Sequence, residues 1–113
     1  MTFYYDAVYG AVWEAYVINV TGGDQLVASV GIKAYRVGNP GTLNLYLKNG
    51  PHPVGSNIAT GTIDANTFTT DITGTWYYIN LSTSTVLLDG NAYDVILSAP
   101  SGDILNYVGW RFN

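Results

Sequence analysis

Residues 34–50, AYRVGNPGTLNLYLKNG, contain two extended runs separated by a turn, and this arrangement indicates the fold class. In the second run apolar and polar residues alternate strictly, with Leu43, Leu45 and Leu47 on one side and Thr42, Asn44, Tyr46 and Lys48 on the other. A period of two is typical of a strand with one buried side. Between the runs, Pro40 fixes φ, Gly41 can take a positive φ, and Asn39 is held extended by the proline after it. The segment therefore predicts two sheet strands joined by a structural corner.

Arg36 lies just before this corner and has no obvious partner in the sequence around it. A guanidinium at the end of a strand can clamp a carboxylate, such as that of Asp94 or Asp103, or stack on an aromatic ring. We expect this structural role for Arg36, and ligand binding is the alternative.

The rest of the chain repeats the same strand pattern. Short runs rich in Val, Ile, Thr and Tyr end at Gly, Asn, Asp or Pro, and helix periodicity is almost absent. The predicted strands are residues 12–20, 26–37, 42–48, 58–63, 76–81, 92–99 and 106–112, with a weaker one at 67–72. Strands at this spacing predict a single all-β domain over residues 12–113, an antiparallel two-sheet sandwich of jelly-roll type. Residues 1–11 are predicted to form an N-terminal arm or an added edge strand.

Inward positions of these strands define the predicted core. It comprises Val30, Ile32, Leu43, Leu45, Leu47, Ile79, Leu81, Val95, Leu97 and Trp110.

Composition restricts the kinds of partner. Charged residues make up 11% of the 113 residues, the net charge is −4, and ten tyrosines and three tryptophans are present. The four basic residues are scattered in the sequence, which disfavours nucleic acid and anionic membranes as partners. The chain has no cysteine, which excludes disulfides and zinc–thiolate sites. An aromatic surface of low charge favours contact with another protein surface.

Catalytic and metal-binding patterns are weak, and we expect no catalytic residue, no metal and no cofactor. The single histidine, His52, lies between two prolines in a predicted loop. Six of the eight acidic residues lie in or beside predicted turns, where Asp is common for structural reasons. The other two, Glu14 and Asp94, are predicted to point outward. A calcium site at Asp89, Asn91 and Asp103 is an alternative, although these ligands are too few.

Aromatic side chains are the remaining candidates for function. Outward aromatic residues that could stack on a sugar ring are Tyr46, Trp76, Tyr78 and Tyr107, and Asn44 beside Tyr46 could hydrogen-bond to the sugar. Such residues also form cross-strand pairs or subunit interfaces. Contacts with a second copy or a capsid are predicted from the aromatic start of the chain, at Phe3, Tyr4, Tyr5, Tyr9 and Trp13. On this hypothesis, deletion of residues 1–10 weakens assembly.

Several short segments of the sequence resemble those of a known family. These are residues 35–41, 53–55, 59–64, 76–81, 87–93 and 106–111, the last including Trp110. Residues 26–112 resemble a jelly-roll-like β-sandwich module, similar to carbohydrate-binding modules, that occurs in phage and environmental viral structural proteins. The resemblance implies a non-enzymatic structural or adhesive role and no agreed catalytic residues.

The size of the chain and this resemblance lead to a functional hypothesis. We expect a viral structural protein on the virion exterior, a capsid decoration or accessory protein that forms a homo-oligomer, with a trimer as the favoured state. Its partners would be viral capsid or tail proteins. The alternative hypothesis is a carbohydrate- or receptor-binding module of a tail fibre or surface protein.

Overall fold

A computed structural model describes residues 4–51 and 54–112 of the chain. It contains eight strands and one short 3-10 helix. The strands are β1 (Tyr4–Val8), β2 (Glu14–Asn19), β3 (Gln25–Val37), β4 (Thr42–Asn49), β5 (Val54–Asp64), β6 (Thr75–Leu87), β7 (Ala92–Ser98) and β8 (Tyr107–Phe112), and the helix is Ala65–Thr67.

The strands form one antiparallel sheet in the order β1-β8-β3-β6-β5-β4-β7-β2. The sheet curls into a nearly barrel-shaped body with extents of 39 × 32 × 22 Å. Pairing is extensive everywhere except between β5 and β6, which share the single pair Gly61 and Leu81. At the two ends of the order, β1 and β2 are joined by a tight turn through the isolated bridge between Tyr9 and Val12. The prediction of an all-β antiparallel fold is confirmed.

The alternation in β4 positions the core. Leu43, Leu45 and Leu47 are fully buried, and β4 pairs with β5 on one side and β7 on the other. Eight of the predicted core residues are buried: Ile32, Leu43, Leu45, Leu47, Ile79, Leu81, Val95 and Leu97. Val30 and Trp110 are half-buried and pack against that core. Val8, Phe68 and Val108 are further buried residues that the sequence pattern missed.

The predicted strand at residues 67–72 is wrong. The chain there forms the 3-10 turn Ala65–Thr67, which Asp64 caps by accepting a hydrogen bond from the Asn66 N–H at 3.0 Å. The buried Phe68 ring then stacks on Tyr77 at 4.0 Å between centroids. The buried Phe68 ring anchors this segment, which therefore needs no alternation of apolar and polar residues.

The corner at residues 38–41 joins β3 to β4 and is a centre of hydrogen bonding. Gly38 and Gly41 both have positive φ, at 65° and 81°. The Asn39 N–H donates to Asn106 Oδ1, and the Gly41 N–H donates to Asn66 Oδ1, each at 2.9 Å. Two other loops are therefore fastened to this corner.

Arg36 donates hydrogen bonds to two carbonyl groups. Its Nε donates to the Phe68 carbonyl and its Nη1 donates to the Gly38 carbonyl, both at 2.7 Å. The expected partners are elsewhere: Asp94 lies on β7, and the Asp103 carboxylate accepts bonds within its own turn. The expected carboxylate clamp is therefore wrong, and Arg36 instead ties the corner to the loop that carries Phe68.

We predict that Arg36→Met destabilises the folded chain. Two carbonyls lose charged donors, which should lower the free energy of unfolding by about 1–3 kcal/mol and the melting temperature by several degrees. Thermal unfolding followed by circular dichroism measures the change. Lys48→Met is the matched control, since Lys48 makes one exposed bond, to the Gly55 carbonyl. Equal melting temperatures for Arg36→Met and the wild type would show that the two Arg36 hydrogen bonds do not stabilise the fold.

Candidate functional site

The aromatic residues predicted to bind a sugar lie on two separate surfaces. Asn44 and Tyr46 point outward from β4, where Tyr46 lies between Thr60 and Ile96 of the neighbouring strands. Trp76, Tyr78 and Tyr107 point outward from β6 and β8, on either side of β3. In the sheet order β5 lies between β4 and β6, and β8 is farther away, so Asn44 and Tyr46 are on a different part of the sheet from Trp76, Tyr78 and Tyr107.

The larger surface is the outer side of β8, β3 and β6, here called the aromatic face. Trp76 and Tyr78 are 57% and 66% exposed on it. Glycines make room for flat rings: a Cβ on Gly31 would lie 2.9 Å from the Tyr78 ring, and one on Gly109 would collide with Tyr35. Leu26 and Val86 form an exposed cross-strand pair farther along β3 and β6. Neighbouring exposed aromatic residues such as Trp76 and Tyr78 are typical of an interaction site.

The residues at the start of the chain form a strand at one end of the sheet order, the second of the two predicted alternatives. Phe3 and the side chains of Tyr4 and Tyr5 lie outside the described residues, although Tyr4–Val8 forms β1 at one end of the sheet order. Tyr9 is half-buried against Tyr107, with ring centroids 6.3 Å apart. Val8 is fully buried in the core. Deletion of residues 1–10 would therefore remove part of the fold, and it cannot test assembly alone.

Trp13 belongs to a second surface, here called the groove. It is 55% exposed and lies beside Tyr46 over a floor formed by Ile96 and Ser98, with Lys48 at one side. The groove has a volume of about 380 Å³. The structure thus brings together one residue predicted for oligomer contact and one predicted for glycan contact.

A third feature, here called the slot, opens where β8 is shorter than β3. The last pair between these strands is Lys33 with Arg111, so in the described chain residues 25–32 of β3 have no β8 partner. Beside this free edge is a half-open cavity of about 320 Å³. It is lined by the apolar residues Ile18, Val30, Ile32, Val95 and Trp110 and also by Lys33, Trp76 and Arg111.

Two of the four basic residues, Lys33 and Arg111, line the slot. Lys33 and Arg111 are directly opposite each other across β3 and β8. Like charges at such positions are destabilising, and the Arg111 guanidinium, which is 8% exposed, lies 5.9 Å over the Tyr35 ring. The sequence separates these residues by more than seventy positions, so only the register reveals the pair.

The two acidic residues predicted to point outward are both placed unexpectedly. Glu14 is opposite the buried Leu97, which puts it on the inner side of the sheet. Asp94 does lie on the outer side, yet it is 1% exposed, and neither carboxylate oxygen has a hydrogen-bond partner among the described residues. The chain folds back over it at Gly50, where a Cβ would lie 3.2 Å from Asp94 Oδ2.

The alternative of a calcium site is wrong, because its three residues do not lie together. Asp89 and Asn91 precede β7, whereas Asp103 follows it, so the three residues lie at opposite ends of a seven-residue strand. In residues 4–51 and 54–112, no three His, Cys, Asp or Glu side chains gather in a way that could hold a metal ion.

Comparisons of the chain with protein-family models, with curated proteins and with solved structures give no significant match. In the part of the chain that the structure describes, no helix has the length and hydrophobicity to cross a membrane.

Glu14 gives the chain a specific dependence on pH. Burial raises the pKa of its carboxyl group, and repulsion from Asp6 raises the pKa further. An inward charge on an edge strand also discourages further strand pairing. Because the pKa is higher in the folded chain, protonation favours folding, and this contribution disappears as the pH rises through the folded pKa.

We therefore predict that Glu14→Gln raises the melting temperature at pH 7. The gain should vanish below pH 4.5, the ordinary pKa of glutamate, where the wild-type side chain is protonated in both states. Melting curves from pH 3 to 8 measure this difference, with the exposed Asp89→Asn as the control. A Glu14→Gln protein that melts below the wild type at pH 7 would contradict the assignment.

Proposed function

We propose that this chain is a non-enzymatic structural protein of a virus, located on the outside of the particle. In this proposal it is a capsid decoration or accessory protein that forms a homo-oligomer, a trimer by preference, and contacts capsid or tail proteins. The observation that carries the proposal is the exposed aromatic face on an otherwise well-packed sheet.

The strand order supports a jelly-roll form of the fold. The pairs fall into two groups of four strands, β1-β8-β3-β6 and β2-β7-β4-β5, with the single pair Gly61 and Leu81 between the groups. Two four-stranded groups of this order correspond to the two sheets of a jelly roll, an architecture of viral capsid and lectin domains. Since one fold hosts many functions, a jelly roll favours a structural role and a binding role equally.

The chemistry of the aromatic face favours a protein partner. The cores of protein interfaces are enriched in Tyr, Trp and Arg and depleted in Lys, Glu and Asp. Here Trp76, Tyr78 and Tyr107 share a face with Arg111, and the described residues place no carboxylate on the outer side of β8, β3 and β6. Leu26, which is 73% exposed, is a further apolar residue on the same side of β3, near the end of the sheet.

We predict that Trp76→Ser/Tyr78→Ser weakens self-association. Loss of central aromatic contacts typically costs about 2 kcal/mol or more, which is roughly a 30-fold increase in the dissociation constant. Sedimentation velocity over a range of concentrations measures the constant, and a trimer has three times the 12.2 kDa mass of one chain.

Trp13→Ser is the matched control, because Trp13 has similar exposure but lies on the groove. A wild-type protein that stays monomeric at high concentration would contradict assembly. Equal weakening by the control would contradict the role of the aromatic face.

The groove favours the second candidate function, a carbohydrate- or receptor-binding module. Trp13 and Tyr46 supply aromatic surfaces to the groove, Ile96 supplies an apolar one, and Lys48 and Ser98 supply polar groups. Aromatic surface with a few well-placed polar groups is characteristic of small-molecule sites.

On this second hypothesis, Trp13→Ala and Tyr46→Ala each abolish binding of a glycan found on an array, while Trp76→Ala leaves binding unchanged. Titration followed by NMR measures the affinity. An array without hits on folded protein, or loss of binding in Trp76→Ala, would exclude the groove as a sugar site.

A further inference from the structure

The turn before β6 presents an isoleucine next to a carboxylate. Asp71 Oδ1 accepts hydrogen bonds from the Thr73 N–H at 3.0 Å and from the Thr73 hydroxyl at 2.9 Å, and the Gly74 N–H donates to the Asp71 carbonyl at 2.9 Å. Ile72, inside this hydrogen-bonded turn, is 62% exposed. The bonds from Thr73 also lower the pKa of the Asp71 carboxyl group, so it stays ionised beside the isoleucine.

The turn before β8 repeats this arrangement with different residues. Asp103 Oδ1 accepts hydrogen bonds from Asn106 Nδ2 at 2.9 Å and from the Leu105 N–H at 2.8 Å, and these bonds lower the pKa of its carboxyl group. Ile104 and Leu105 are 71% and 75% exposed, although turns usually carry polar residues. Both turns therefore hold apolar side chains in solvent next to an ionised carboxylate.

The strand order places both turns at one end of the sheet, here called the loop end. Because all paired strands are antiparallel, four of the seven connections lie at this end: residues 9–13, 38–41, 65–74 and 99–106.

The end of β3 and the corner after it fasten both turns to the sheet. The Arg36 N–H donates to the Thr69 carbonyl at 2.8 Å, in the loop that leads to the first turn. The Asn39 N–H donates to Asn106 Oδ1 at 2.9 Å, in the second turn. A surface held in this way loses little conformational entropy when a partner binds.

The charge of the loop end selects the kind of partner. Asp64, Asp71 and Asp103 are exposed there, whereas Arg36 at the same end is bonded to two carbonyl groups. Exposed carboxylates beside apolar side chains repel nucleic acid and anionic lipid. They complement an apolar surface that carries lysine or arginine at its edge.

A second copy of this chain suits the loop end poorly. It has the same net charge of −4, and its basic residues number only four. Three of them are bonded or buried: Arg36 and Lys48 donate to carbonyl groups, and Arg111 is 8% exposed. The partner that fits is therefore a different protein.

We propose that the loop end docks on another protein of the particle, at a surface with apolar sockets next to lysine or arginine side chains. In this contact Ile72, Ile104 and Leu105 fill the sockets, and Asp71 and Asp103 face the cations. This inference rests on the proposed function, because it specifies which surface of the chain contacts the capsid or tail protein. The aromatic face remains available for self-association.

Removal of exposed apolar side chains tests the docking contact. The probe is purified particles depleted of this chain, and co-sedimentation measures how much added protein binds to them. Ile104→Ser/Leu105→Ser should bind at least about tenfold more weakly than the wild type, because two apolar side chains no longer leave water on binding. Leu88→Ser is the matched control, since Leu88 is 48% exposed in the connection between β6 and β7, at the opposite end of the sheet.

Removal of charge tests the predicted cations of the partner. Asp71→Asn/Asp103→Asn removes two charges and keeps an Oδ1 acceptor in each turn. Salt screens attraction between exposed charges, so this variant should bind more weakly than the wild type and lose less binding as salt is raised. Asp89→Asn changes an exposed carboxylate at the opposite end and should behave as the wild type. Circular dichroism verifies that every variant is folded.

Two further measurements test the identity of the partner. In sedimentation velocity, Ile104→Ser/Leu105→Ser should self-associate as the wild type does, and weaker self-association would overturn the proposal in favour of a second copy. In flotation with phosphatidylcholine vesicles, the wild type should not bind. Vesicle binding that Ile104→Ser/Leu105→Ser abolishes would overturn the proposal in favour of a lipid surface.

The failures of the two proposals are distinguishable. A wild-type protein that does not bind to particles overturns both the location on the particle and the docking contact. A wild-type protein that binds, with loop-end variants that bind equally well or controls that bind equally weakly, overturns the docking contact alone.

Discussion

Leu43, Leu45 and Leu47 of β4 lie on the inner side of the sheet, between β5 and β7, and are completely buried. Their alternation with Asn44, Tyr46 and Lys48 fixes which side of the strand faces water, because a shift of one residue would expose every leucine. The registers of β5 and β7 follow from this strand. The core and the outer surfaces are therefore two consequences of one pattern.

The outer side of the sheet carries aromatic residues where charged residues would be usual. Glycines at positions 31 and 109 allow the rings of Tyr78 and Tyr35 to lie close to the backbone, and Trp76 remains largely exposed. The neighbouring strands β3 and β8 also differ in length, with thirteen and six residues. The part of β3 beyond its last pair with β8 borders the slot.

Local patterns in the sequence were sufficient for the existence of β2 to β8, although not for all of their ends, and for the corner and eight of the core residues. They failed where the outcome depends on a distant segment. Phe68 has no periodic neighbours, so its burial against Tyr77 has no signal in the sequence. Asp94 was correctly placed on the outer side, but its burial depends on the chain folding back at Gly50.

The candidate sites were still harder to predict, because each depends on the strand order. Trp13 and Tyr46 meet only because β7 lies between β2 and β4, and Lys33 meets Arg111 through the register of β3 with β8. Alternation identified the outward residues, and it could not show which of them share a surface. The pairing of strands far apart in sequence is the missing information.

The central claim is that this chain is a structural component on the outside of a virus particle. Immunogold labelling of intact, purified particles, with antibody raised against the folded protein, tests this claim most directly. We expect regular labelling of the particle surface at many positions per particle. Absence of label from intact particles, whether or not disrupted particles are labelled, would contradict the location on the outside.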